Sequence, residues 1–430
     1  MEKEAAAADN KGFRTGIDVL VRDRFAQLAG MRIGLITNHT GVDAEGKATL
    51  DLLRHAPGMQ VKAIFSPEHG LTGTADAMIP SSRDTTTGLP IYSLYGTSKK
   101  PEAAMLRDLD CLVFDIQDAG VRFYTYISTM GYAMEAAAAN GLAFVVLDRP
   151  NPLTASIVQG PVPDKTRRSF TEYFPLPVRH GMTVGELATL FNAEYKIGAD
   201  LRVVKMEGYD RTRWFDETGM AWINPSPNLR SLTEATLYPG VALAEGANVS
   251  VGRGTPTPFE LLGAPWIDGN SLARSLNERH IPGVRFAPAA FEPTSDIYRK
   301  RLCHGVRVTL TDRHLLDSPT MGIEILSALY RLYPKSFAID DTLGLIGDRS
   351  VLAAIKKGQD PRSIAQSWQG PLESFVLLRS NFLLYGAAGR VSQQMVKEGL
   401  HEAAGNHLAQ EEQEFGLAEK LGGQGKINLP

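Results

Sequence analysis

Carboxyl, amide and imidazole side chains recur in this 430-residue chain at one kind of place, the polar end of an apolar run. MRIGLITNH (31–39) leads into Asn38, His39, Thr40 and Gly41. QVKAIFSPEHG (60–70) delivers Glu68 and His69 just after Ser-Pro. DCLVFDIQDAG (110–120) delivers Asp115, Gln117 and Asp118, with Arg122, Tyr124 and Tyr126 directly beyond, and LAFVVLDRPNP (142–152) delivers Asp148, Arg149 and Asn151. If these runs are parallel strands, their carboxyl ends share one rim, the place where open α/β sheets bind ligands. Such a rim offers acid–base work by carboxyl groups, with polar and aromatic side chains to hold a ligand.

Glu68 is the sharpest candidate. Burial on the lip of an apolar sheet suits a carboxyl group to general-acid catalysis; a solvated loop carboxylate or a helix N-cap partner is the plain alternative. Asp115 and Asp118 flank Gln117 and fit paired-carboxylate chemistry or an oxygen-ligand metal site. The plain alternative has one of them capping a turn and the other pairing with Arg122. If Arg122-Phe123-Tyr124-Thr125-Tyr126 is extended, Arg122, Tyr124 and Tyr126 share one face. That face would hold a carboxylate in a guanidinium fork and stack a sugar on aromatic rings; buried structural tyrosines fit equally well. His39 and His69 end neighbouring runs and either contact a ligand or orient a carboxylate.

Other chemistries find little support. No GxGxxG opens the first strand–helix unit, and GRGTPTPFE (252–260) lacks the phosphate-loop pattern GxxxxGK[ST]. The nine histidines form no HExxH or i, i+4 pair, and no GxSxG occurs. Neither a metal nor a cofactor is expected.

The elements that must position these residues are legible as alternation. Near-continuous Ile/Val/Leu/Phe runs suit strands buried on both faces, as in a parallel sheet. LPIYSLYG (89–96) and LRVVKMEG (201–208) add two more such runs. Between them KATLDLLRH (47–55), STMGYAMEAAAAN (128–140) and TVGELATLFNAEY (183–195) have helical patterning. The fold class read from this is α/β, a Rossmann-like doubly wound, mostly parallel sheet, with a second, smaller α+β domain. The domains are placed at 14–230 and 231–390, with a peripheral tail over 391–430. Residues 231–270, dense in Gly, Pro and Asn, read as long ordered loops; strands follow near 283–288 and 304–310, and helices at 319–333 and 349–358.

Composition narrows the class. With 43% hydrophobic residues the chain can bury a sizeable core, and a net charge of −3 without a basic block argues against a nucleic-acid binder. Two distant cysteines exclude a disulfide scaffold, and no stretch approaches the 18 or so apolar residues of a membrane span. A small-molecule enzyme or binding protein is left.

Taken together, the strings are recognisable. GIDVL (16–20), LITNHTG (35–41), FSPEHG (65–70), LVFDIQDAGVRFYTYISTM (112–130), LDRPNP (147–152), PSPNL (225–229), YPG (238–240) and EGANVSVGRGTPTPFELLGAPW (245–266) resemble the exo-β-N-acetylmuramidase family, the NamZ-type glycoside hydrolases. The resemblance runs in order from about residue 16 to about 386. It implies a Rossmann-like N-terminal domain, a smaller C-terminal domain closing the cleft, and release of N-acetylmuramic acid from the non-reducing end of peptidoglycan fragments. Glu68 becomes the candidate general acid, and Asp118, Asp115 or Glu245 the second catalytic group. Asn38, His39, His69, Gln117, Arg122, Tyr124, Tyr126, Asn248 and Arg253 become candidate substrate contacts, with Arg122 or Arg253 taking the lactyl carboxylate. Ala247 stands where the family usually has Thr. A small carbohydrate is the implied partner, with no nucleic acid and no membrane span. The implied location is periplasmic or secreted if a signal peptide is removed, or cytoplasmic for the chain as it stands, since MEKEAAAADNKG has no apolar h-region. Two competing readings are a non-catalytic muropeptide- or amino-sugar-binding protein, favoured by Ala247, and a nucleotide-dependent transferase, disfavoured by the missing glycine fingerprint.

Overall fold

The computed structural model describes residues 12–75, 78–164 and 168–386. The large sheet contains β1 (Arg32–Thr37), β2 (Gln60–Ser66), β3 (Ser82–Arg83), β4 (Pro90–Ser93), β5 (Cys111–Asp115), β6 (Ala143–Leu147) and β7 (Asp200–Val204). Their order is β3-β4-β2-β1-β5-β6-β7, and every pair is parallel except β3 with β4. Helices α1 (Gly16–Arg22), α2 (Thr49–His55), α3 (Ala103–Leu106), α4 (Tyr126–Ala139) and α5 (Val184–Glu194) connect or flank the strands.

The apolar runs have a direct cause. Successive strand side chains point to opposite faces. Cys111 and Val113 therefore join Ile33, Leu35, Ile17 and Leu53 in one core, while Leu112 and Phe114 join Phe65, Phe144, Met130 and Phe191 in the other. A sheet covered on both faces needs apolar residues at every position.

A second sheet follows, antiparallel in the order β8-β10-β9, made of β8 (Leu261–Ala264), β9 (Val284–Phe291) and β10 (Cys303–Leu310). It packs with α7 (Gly269–Asn277), which in turn packs on α8 (Ser318–Leu332). Its buried Leu262, Phe286 and Val306 belong to the same core cluster as Phe65 and Phe114. The chain through Leu384 forms one compact unit; of the second, Tyr385–Pro430, only Tyr385 and Gly386 are described. The tail expected over 391–430 lies outside the described residues.

Two local expectations are corrected. The Gly/Pro-rich stretch 231–270 contains α6 (Leu232–Val241), with Pro239 inside it, as well as β8. Glu234–Val241 are all buried, and α6 packs on α8, so tertiary packing outweighs the low helix propensity of Pro and Gly. The Arg122–Tyr126 segment is not extended either: Tyr124 N–H closes a turn onto Val121 O at 3.0 Å, and α4 begins at Tyr126. Arg122, Tyr124 and Tyr126 therefore do not share a strand face.

Where β1 and β5 end side by side, Thr37 paired with Asp115, a buried ion pair ties the elements together. Arg149 donates from Nε to Asp115 Oδ1 at 2.6 Å and from a terminal nitrogen to Oδ2 at 2.9 Å. Thr49, first residue of α2, donates to the same carboxylate. Removing one partner strands a buried charge, so Asp115→Ala should cost about 3–5 kcal/mol. Asp110→Ala, which breaks the exposed pair with Arg32, should cost under about 1 kcal/mol. Urea unfolding of the two variants checks this; equal shifts would contradict the structural role of Asp115.

Candidate active site

A cleft of about 690 Å³ opens at the carboxyl edge of the large sheet. Glu68, His69, Tyr124 and Thr125 face it from the loops after β2 and β5, and Ser226, Tyr238, Glu245, Arg253 and Phe259 from the second half of the chain. Tyr95, Lys99 and Phe170 also line it, with the Lys99 ammonium 4.3 Å from the centre of the Phe170 ring.

Glu68 reaches the cleft through a tight turn. Gly70 N–H donates to Pro67 O at 3.0 Å, and His69 and Gly70 are both left-handed, with φ of 68° and 73°. A non-glycine residue held there costs of order 1–3 kcal/mol, a strain that clusters at functional sites. His69 is locked by its Nδ1–H donating to Ala75 O at 2.7 Å. Glu68 itself is half-buried, and Thr125 Oγ1 donates to its Oε2. Across the cleft, Glu245 follows a short 3₁₀ turn after α6 and accepts from Arg253 Nε. The Arg253 guanidinium lies 5.4 Å from the Phe259 ring centre.

The wall carrying Ser226 is pinned from beneath. Tyr126 hydroxyl accepts from Asn38 Nδ2 at 3.1 Å and donates to Pro225 O at 2.6 Å. His39 Nε2–H donates to Asn224 O at 2.8 Å. Burial holds the His39 pKa below its ordinary value, the Asn224 carbonyl opposing this and His69 adding to it. A Cβ at Gly73 would collide with the His39 ring, so glycine is required there.

Of the residues singled out in the sequence, Glu68, His69, Tyr124, Glu245 and Arg253 come together on the cleft. The others do not line it. Asp115 is fully buried in its arginine pair. Asp118 caps a turn, accepting from Gly120 N–H at 2.7 Å, with His180 Nε2 at 3.4 Å. Gln117 donates to the carbonyls of Asp118 and Pro150. Arg122, read as a carboxylate fork, is buried and donates to the carbonyls of Pro161, Leu176, Leu345 and Ile346, stapling two distant segments. Asn248 bridges Ser336 O and Ala338 N–H, a clamp outside the cleft. Asn38, His39 and Tyr126 act behind the wall. The plain alternative for the aspartates thus describes their positions, with Arg149 in place of Arg122.

Comparison with known proteins follows the same geometry. Residues 33–233 match the family model for the N-terminal part of exo-beta-N-acetylmuramidase NamZ, and residues 236–385 match its C-terminal part. This chain belongs to the NamZ exo-β-N-acetylmuramidase family. A peptidoglycan beta-N-acetylmuramidase NamZ of Bacillus subtilis (strain 168) is 45% identical over 377 residues, spanning 86% of this chain and 91% of that protein. Two crystal structures of DUF1343 family proteins from Bacteroides fragilis NCTC 9343 share the fold. They have TM-scores of 0.79 and 0.72 and identities of 35% and 32%, and each comparison covers 87% of this chain and 99% of the other.

The NamZ-type strings carried more of the site than the strand-end reading used. Tyr238 lies in YPG, Ser226 in PSPNL and Phe259 in TPTPFELLG, all within the resemblance but without an assigned role. Lys99, Phe170, Ser295 and Asp296 also line the cleft, and no motif marks them.

Helix α6, which carries Tyr238, starts with a second titratable group. Ser231 caps it by accepting from Glu234 N–H at 3.1 Å, and the Glu234 carboxyl accepts from Arg230 N–H. Burial pushes the Glu234 pKa up to about 7, the Arg230 N–H opposing this and Glu260 adding to it. A carboxyl group raised in the folded state gives stability that is full below its unfolded pKa of about 4.3 and is lost as pH rises through 7. In Glu234→Gln that decline, roughly 1–3 kcal/mol, should be absent, leaving the variant the more stable at pH 8. Thermal melts from pH 5 to 8 check this; parallel curves for the two proteins would refute it.

Proposed function

We propose that this chain is an exo-acting glycoside hydrolase that releases N-acetylmuramic acid from the non-reducing end of peptidoglycan fragments, with Glu68 as general acid. The observation carrying this is the pair of carboxyl groups, Glu68 and Glu245, held by different elements on one cleft in a NamZ-family chain. Glycosidases work with two such groups, one of which protonates the leaving oxygen. Thr125 occupies Glu68 Oε2 as a donor. The acidic proton then resides on Oε1, and after transfer Thr125 continues to stabilise the carboxylate. Of the three residues considered for the second carboxyl group, Glu245, accepting from Arg253, is the one on the cleft, and Asp115 and Asp118 do not line it. With Arg122 committed to main-chain carbonyls, Arg253 and Lys99 are the lysine and arginine side chains that face the cleft among the described residues. The lactyl carboxylate of the substrate goes to one of these, and the sugar lacking it is disfavoured.

The binding-protein reading loses its support in the fold. Ala247 is buried in the apolar core and does not line the cleft.

Glu68→Gln should lower turnover of a chromogenic β-N-acetylmuramide by at least about 100-fold while the protein stays folded. A near-wild-type rate would remove Glu68 from the role. N-acetylmuramyl-N-acetylglucosamine should be cleaved, with release of the monosaccharide seen by mass, well ahead of chitobiose. Equal rates on the two disaccharides would contradict recognition of the carboxylate.

A further inference from the structure

Tyr238, like Tyr124 and Phe123, lines the cavity although it is almost buried, at 7% exposed. Its ring is held edge-on by Phe259 at 4.8 Å, Phe123 at 5.3 Å and Tyr124 at 6.2 Å, so the hydroxyl has a defined position. Among the described residues that hydroxyl makes no hydrogen bond. It opens on the cleft rather than being sealed in the core, and a tyrosine hydroxyl in such a place takes a partner. The Tyr126 hydroxyl, by contrast, is already bonded to Asn38 Nδ2, Pro225 O and Glu68 O.

The electrostatic setting says what kind of partner is missing. Burial raises the Tyr238 pKa well above the usual phenol value; Glu245 adds to this, Arg253 opposes it, and Glu68 and Asp118 add further. The phenol therefore keeps its proton and offers the cleft a neutral donor beside the Glu245–Arg253 pair. A neutral acceptor suits such a donor. On an N-acetylated sugar the strongest neutral acceptor is the amide carbonyl oxygen.

We propose that Tyr238 is a further catalytic residue of this site, its hydroxyl donating a hydrogen bond to the acetamido carbonyl oxygen of the bound amino sugar. The inference rests on the muramidase reading for the identity of the sugar. The bond fixes the acetamido group relative to the anomeric carbon while Glu68 faces the leaving oxygen, and Tyr238 neither gains nor loses its proton. Orientation of this kind lowers a barrier by pre-organisation.

Tyr238→Phe keeps the ring and removes only the donor. Two readouts on purified full-length protein test the proposal. Binding of N-acetylmuramic acid and of muramic acid, its free-amine counterpart, is measured by calorimetry on both proteins. The wild-type preference for the N-acetyl sugar should fall about three- to tenfold in the variant, the size of one neutral hydrogen bond. In parallel kcat/KM on a chromogenic β-N-acetylmuramide should fall about tenfold or more, with Tm unchanged. An unchanged N-acetyl preference overturns the proposal whatever the rate does, and so does failure of the wild-type protein to bind N-acetylmuramic acid. If the wild-type protein binds the sugar but hydrolyses no muramide, the hydrolase reading fails, while the binding preference still decides the role of Tyr238.

Discussion

Asp115 ends β5, beside the central strand β1, with both carboxyl oxygens inside the protein, and much of the carboxyl edge depends on how that charge is met. Arg149 from the end of β6 binds it through two nitrogens and also donates to Val42 O at 2.8 Å in the loop after β1. Thr49 brings the start of α2 to the same carboxylate, and Thr37 Oγ1 donates to Asp115 O at 2.9 Å. The anion itself is met by Arg149 and Thr49, and Val42 and Thr37 are tied in through Arg149 and the Asp115 carbonyl. A buried pair of this kind adds little net stability against an apolar replacement. Its contribution is registry: the chain after β1, β5 and β6 leaves the sheet from set positions.

The cleft is assembled along that edge. Behind the wall, Tyr126 bonds Asn38 and the Pro225 carbonyl, and His39 bonds the Asn224 carbonyl. On the cleft lie Glu68 with Thr125 on one side and Glu245 with Arg253 on the other. The same cleft is lined by the Tyr238 ring, delivered by a helix from the second half of the chain that is buried from Glu234 to Val241. Arg122 joins the segments around Pro161, Leu176 and Leu345 through main-chain carbonyls. Because these are carbonyls, the position requires a multi-donor planar cation, which lysine does not supply.

Packing of this kind leaves several residues with catalytic-looking chemistry away from the cleft. A strand end places carboxylates at the rim, but which of them reaches solvent depends on what packs against each. Asp115 and Asp118 meet an arginine and a turn N–H; Glu68, two strands away, is carried outward by the left-handed turn at His69 and Gly70.

What the chain itself determined is periodic or local. The all-apolar runs follow from a sheet buried on both faces, the helix starts at Thr183 and Asp317 from side-chain caps, and Glu68 is recognisable from its Ser-Pro-Glu-His-Gly turn. Roles that depend on partners far away in sequence were not legible. Arg122 was read as a substrate fork, yet its carbonyl partners at Leu345 and Ile346 lie 223 and 224 residues away. Tyr238 was missed because Pro239 and Gly240 mimic a loop, and only contact with α8 makes that segment a helix. A sequence specifies which groups can ionise, bend or pack. Whether a given carboxylate or guanidinium faces solvent or another buried group is a pairing between remote segments, and only the tertiary structure decides it.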